Sequence, residues 1–116
     1  TMKNMMGCAP PRHYERGGHW KKAAFHQNVQ DAILDLNRYR TPDFTILDAT
    51  VGMQKAHLWG PVCDPPPNKI VAGVDPVAMD VYGAGLLGRD WRRIGHLAKA
   101  NGELGYAEPL EIITVD

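Results

Sequence analysis

The chain has 116 residues, enough for one domain with one buried core. A content of 44% hydrophobic and 22% charged residues is that of a globular protein, and no apolar run reaches the length of a membrane span. Formal net charge is zero, split between +4 over residues 1–26 and −4 over the rest. That balance, with little aromatic interleaving, speaks against nucleic acid and leaves a basic N-terminal segment suited to a small anion.

Residues 1–22 show no hydrophobic period and are broken by Gly7, Pro10-Pro11 and Gly17-Gly18, which predicts a basic loop segment. Its Met2, Met5, Met6, Tyr14 and Trp20 are bulky enough to pack on a body, against plain disorder. Ala23–Tyr39 reads as a helix: Phe25, Val29, Ala32, Ile33 and Leu36 recur on one face, with Gln30 and Asn37 away from it. Thr41-Pro42 ends it, because a residue preceding proline is pushed out of the α region. Phe44–Leu47, followed by Asp48, has the apolar, β-branched composition of a short strand.

Residues 49–68 form a long Gly/Pro-rich loop, of a length that suggests a functional role. Ile70–Val74 then reads as a buried strand turning directly into a helix at Asp75-Pro76. Asp75 is suited to cap the first free N–H groups, and Pro76 to the first helical position. Gly88 ends that helix, and Asp90 caps another over Trp91–Ala100, with Ile94, Leu97 and Ala98 inward. Leu110–Val115 is a last strand candidate. This alternation predicts an α/β fold: a small, mostly parallel sheet of about three strands with helices packed on it. So few strands suggest a fragment of a larger α/β domain, completed by a missing portion or by a second copy of the chain.

Gly83-Ala84-Gly85-Leu86-Leu87-Gly88 matches G-x-G-x-x-G but lies at the far end of a predicted helix. A dinucleotide site needs that motif in the turn after a strand, so here it signals close helix packing. Asp48 and Asp75 both end predicted strands. In a parallel sheet they share the edge where α/β ligands bind, and they form a candidate site for a cation or hydroxyl. Cys8, His13, His19, His26, His57 and Cys63 are metal ligands by type, but no metal-binding spacing joins them. The chain contains no serine, which excludes a Ser-His-Asp triad. The two cysteines make no disulfide framework, and free thiols in the cytoplasm are the expectation.

Three stretches carry a family likeness: Lys3-Asn4 with Gly7-Cys8, Asp48 with Val51-Gly52-Met53 and Gly60-Pro61, and Ala72-Gly73 with Asp75-Pro76-Val77-Ala78 and Asp80. Together they resemble the C-terminal half of the domain of unknown function 362 family. The resemblance implies a microbial protein of unsettled activity and an association with iron–sulfur, ferredoxin-like domains. A cluster of that kind takes four thiolates, and only Cys8 and Cys63 are present, so one copy holds no complete cluster.

The expected function is a ligand- or metal-binding α/β domain of a larger, redox-associated protein. Lys3, Asn4 and Arg12 would meet an anion, and Asp48 and Asp75 a cation or hydroxyl. Two alternatives stand beside it: a metabolic enzyme with Asp48 or His57 as general base at the sheet edge, and a non-catalytic interaction module.

Overall fold

The computed structural model describes residues 1–14, 23–55 and 59–115. The core lies among the helices and the turns around them, and a small two-stranded sheet packs beside α2. The N-terminal segment is more ordered than its sequence suggests, with 3₁₀ helices at Met2–Cys8 and Pro11–Tyr14. Met2 is fully buried, so this segment does pack on the body.

The first predicted helix begins as a 3₁₀ turn, Ala23–His26, and continues as α1, Val29–Tyr39. Asn28 caps α1, its side chain accepting from the Asp31 N–H at 3.4 Å. The buried face is Ile33, Leu34 and Asn37, rotated from the expected one; Leu36 is only half-buried. The rotation has a visible cause. Asn37 Nδ2 donates to the carbonyls of Met2 (2.9 Å) and Ile33 (2.8 Å), so the N-terminal segment draws a polar residue into the core.

Strand β1 is Thr45–Ala49 and strand β2 is Lys69–Gly73. They pair antiparallel, from Thr45 opposite Gly73 to Ala49 opposite Lys69. This corrects the expectation of a mostly parallel, three-stranded sheet. The connection between the strands explains the correction. A parallel pair needs a crossover, usually a helix, whereas the described part of this loop folds back on itself. Cys63 N donates to Gly52 O (2.7 Å), Asn68 N donates to Thr50 O (3.3 Å), and Met53 bridges Val62 antiparallel. Residues 110–115 join no ladder despite their strand composition.

Helix α2, Pro76–Leu86, starts where Asp75-Pro76 predicts. Asp75 Oδ1 accepts from Val77 N (2.8 Å) and Ala78 N (2.9 Å). At the other end Gly88 takes a left-handed φ of 66°. Gly88 N bonds Gly85 O (2.9 Å) and Arg89 N bonds Ala84 O (2.8 Å), the paired closure of a Schellman cap. A Cβ at Gly83 would sit 3.2 Å from Leu47 Cδ2, so this glycine lets α2 lie close on β1. The glycine motif therefore serves packing and capping. The third predicted helix divides into a 3₁₀ turn, Trp91–Arg93, capped by Asp90, and α3, Gly95–Ala100. Leu97 and Ala100 face inward, with Ala98 exposed.

The core gathers around α2: Val77, Val81 and Ala84 meet Met2, Ile33, Leu34, Leu97, Ala100 and Ala107. Burial of this kind contributes about 25 cal/mol per Å² of apolar surface and dominates stability. The Asp75 carboxylate also reaches the far turn, where Oδ2 accepts from Tyr106 N at 2.8 Å. Gly105 passes so close that a Cβ there would lie 2.1 Å from Asp75 Oδ1. Asp75→Ala removes all three bonds and is expected to cost about 2–3 kcal/mol in urea denaturation. Gly105→Ala drives a Cβ into Asp75 Oδ1, the capping oxygen, and should disturb the cap and the turn together, seen as faster amide exchange at Val77, Ala78 and Tyr106.

Candidate functional site

The antiparallel register separates the two carboxylates expected to act together. Asp48 lies opposite Ile70, and Asp75 is five residues further along. At about 3.4 Å per residue, the two stand roughly 17 Å apart along the sheet, far beyond the reach of one cation. Each has a local duty. Asp48 Oδ1 accepts from the Thr50 N–H (3.0 Å) and hydroxyl (2.7 Å), and these bonds hold its carboxyl below the usual range. An exposed carboxylate so stabilised is a poor general base. Asp75 already accepts from three backbone N–H groups, two on Oδ1 and one on Oδ2. The shared Asp48–Asp75 site is thereby removed.

Other predicted residues are dispersed. Arg12 lies on the exposed Pro11–Tyr14 turn. His57 lies outside the described residues. Cys8 is exposed on the first 3₁₀ helix, and Cys63 is half-buried in the β1–β2 loop; both are free thiols. Among the described residues no three His, Cys, Asp or Glu side chains converge as a metal-binding group. No described helix is long and apolar enough to cross a membrane.

A different corner brings functional side chains together. Asp80, the single charged residue of α2, accepts from Met2 N through Oδ2 (2.8 Å) and from Thr1 N through Oδ1. This clasp fixes the N-terminal segment on α2, leaving Lys3 and Asn4 exposed, with the Lys3 charge felt at His96 of α3. On α3, His96 is half-buried. Its backbone N–H donates to Gln30 Oε1 (2.9 Å), and the same oxygen meets its Nδ1 at 2.7 Å. An amide oxygen only accepts, so Nδ1 carries the proton and Nε2 keeps its lone pair. Nε2 makes no hydrogen bond to the described residues.

Burial holds the His96 imidazole below its ordinary pKa; the nearby Asp80 carboxylate opposes this, and the Thr1 amine and Lys3 add to the lowering. The corner therefore offers an ammonium and a neutral imidazole with a free acceptor. Lys3 and Asn4 belong to the sequence-predicted set, whereas His96, Gln30 and Asp80 do not. Asp80 had a readable signal, being a lone charge in an otherwise apolar helix. The partnership of Gln30 with His96 spans 66 positions and had none.

A groove of about 830 Å³ lies elsewhere, along β2. Ala78, Met79 and Tyr82 of α2 and residues 109–115 help to line it. Its one carboxylate near the strand end, Asp75, already accepts three backbone N–H bonds.

A family model described as Domain of unknown function (DUF362) matches residues 1–85, which includes the Lys3-Asn4 turn, both strands and nearly all of α2. Neither a curated protein nor a solved structure matches the chain.

The depressed His96 pKa carries a sign. The folded state favours neutral imidazole, so the unfolded chain binds the proton more readily below about pH 6.5. Stability from this group is present above that pH and is lost as pH falls from there through the lower folded-state value. Chemical denaturation between pH 7.5 and 5, values spanning the histidine range, should show this decline in the native chain and a flatter profile in His96→Gln.

Proposed function

The chain belongs to the domain of unknown function 362 family, and we propose that it is the ligand-binding part of a larger α/β protein, taking a small anionic, hydroxyl-bearing ligand at the Lys3–Asn4–His96 corner. The observation that carries this reading is the fixed imidazole. Gln30 holds Nδ1 and the backbone of His96 at once, which leaves Nε2 presented as an acceptor. A carboxylate or phosphate group would meet the Lys3 ammonium and the Asn4 amide, and a neighbouring hydroxyl would donate to Nε2. The neutral state of His96 near pH 7 also suits it to accept a proton from such a hydroxyl, which links this reading to the enzymatic alternative. Cys8 and Cys63 take no part in it.

Titration with inorganic phosphate, and separately with malonate, tests the proposal by following the His96 ring resonances. Saturable shifts are expected, with the His96 pKa rising on binding because an anion favours the imidazolium. Lys3→Ala should weaken the affinity about tenfold. An unchanged response in Lys3→Ala, or a linear one without saturation in the native chain, would refute the site.

A further inference from the structure

We infer that Leu110–Val115 is a strap that closes onto the free edge of β2 as a third, antiparallel strand of the sheet. The inference goes beyond the anion site and does not rest on it.

One edge of β2 pairs with β1; the other has no strand partner among the described residues. The groove along β2 is lined on its other side by residues 109–115, which join no ladder either. Two unladdered stretches thus flank one groove, over Ala78, Met79 and Tyr82 of α2. Unpaired edge N–H and C=O groups are a template for another strand. The strap has the β-branched composition for it, and its Ile112, Ile113 and Val115 are 60%, 89% and 88% exposed. A two-stranded sheet is marginal alone, and a third strand on the free edge covers backbone and side chains together.

The root of the strap is fixed. Ala107 is fully buried and its N–H donates to Asn101 Oδ1 (2.9 Å), while the Glu108 carboxylate bonds Arg92 at 2.9 and 3.0 Å. Residues 111–115 make no hydrogen bond among the described residues. Closure therefore needs movement only beyond Pro109. The Tyr106 N–H is bonded to Asp75, so the chain reaches the groove at the end of β2 where α2 begins. Pairing from that end runs antiparallel to β2.

Faces and proline then select one register. Gly73 faces α2, since a Cβ there would lie 2.7 Å from Met79 Sδ, and Val71, two residues earlier, shares that face. Leu110 packs against the core, so Leu110 and Ile112 align with the inward positions of β2 and Ile113 with the outward ones. Pro109 has no N–H, so the ladder starts at Leu110. Leu110 opposite Gly73 uses all of β2 and ends with Thr114 opposite Lys69. It sets Ile112 opposite Val71 and Ile113 opposite Ile70, apolar pairs of the kind that stabilise a sheet. A shift of two residues keeps the faces but loses this match. In one direction the strap runs past Lys69 onto Asn68, at a φ of 50°, and Pro67; in the other Leu110 meets Asp75, which caps α2.

Paired cysteines in the whole chain, carrying Cys8→Ala and Cys63→Ala, provide the first test. Ile70→Cys with Ile113→Cys joins two exposed positions that closure sets opposite each other. Bridging needs Cα atoms within about 7 Å, so a 70–113 disulfide within one chain is expected under mild oxidation, identified by non-reducing peptide mapping. Ile46→Cys with Ile113→Cys, on the same face but on β1, should form none. Amide exchange of the native chain is the second test. Ile112→Pro removes a strap N–H and should speed exchange of the β2 amides on the free edge about tenfold, with an unchanged circular dichroism spectrum as the control for folding. A 70–113 yield no higher than that of the β1 control overturns the inference, as does β2 exchange indifferent to Ile112→Pro. A 70–113 bond that joins two chains, seen as a dimer on a non-reducing gel, overturns it as well.

Discussion

Two carboxylates, one capping α2 and one on its first turns, tie distant segments of the chain to this helix. Asp75 at the start of α2 binds the helix's first N–H groups and the Tyr106 N–H. Asp80, five residues on, binds the Met2 N–H and Thr1 N. Segments from both ends of the described chain are thus tied to the same helix by charge-assisted bonds to backbone. Such bonds are stronger than neutral ones, and losing one partner leaves the other group unsatisfied. The apolar core forms between these ties, with Met2 and Ala107 closing over Val77 and Val81.

The ties also govern where chemistry is available. A carboxylate that accepts three backbone N–H bonds has little capacity left for a ligand, so Asp75 organises the structure and leaves recognition to others. By fixing Met2, Asp80 brings the Lys3 charge within electrostatic range of His96 on α3, whose one nitrogen is held by Gln30. The candidate site is therefore a consequence of the clasp, and its residues come from four separate elements. Peripheral ion pairs support this arrangement weakly. Arg38 bonds Glu103 at 2.6 and 2.9 Å, and Lys99 pairs with Asp31, but all four side chains are well exposed and solvent screens them.

Much of the architecture was readable from local patterns. Asp75-Pro76 marked the start of α2 because an acceptor side chain and a preset φ act within a few residues. Gly88 marked its end for the same reason, through a left-handed cap. The glycine triplet could be dismissed as a dinucleotide motif from its place at a helix C-terminus. The direction of β2 relative to β1 was less accessible. Asp48 and Asp75 both end strands, and the eye pairs them; the absence of a helical period between residues 49 and 68 was the clue that the strands run opposite ways. Asn37 was set on the polar side of α1 because its buried partners, the Met2 and Ile33 carbonyls, include one 35 positions away.

The amino-acid sequence settled where α1, β1, β2 and α2 lie and how α2 is capped at both ends, since these follow from interactions between residues a few positions apart. Tertiary structure settled strand polarity, the burial of Asn37, and the meeting of Lys3, Asp80, Gln30 and His96. Each of those depends on which distant backbone groups a side chain satisfies. A buried N–H or C=O must find a partner somewhere, and the position of that partner is a property of the folded chain rather than of any local pattern.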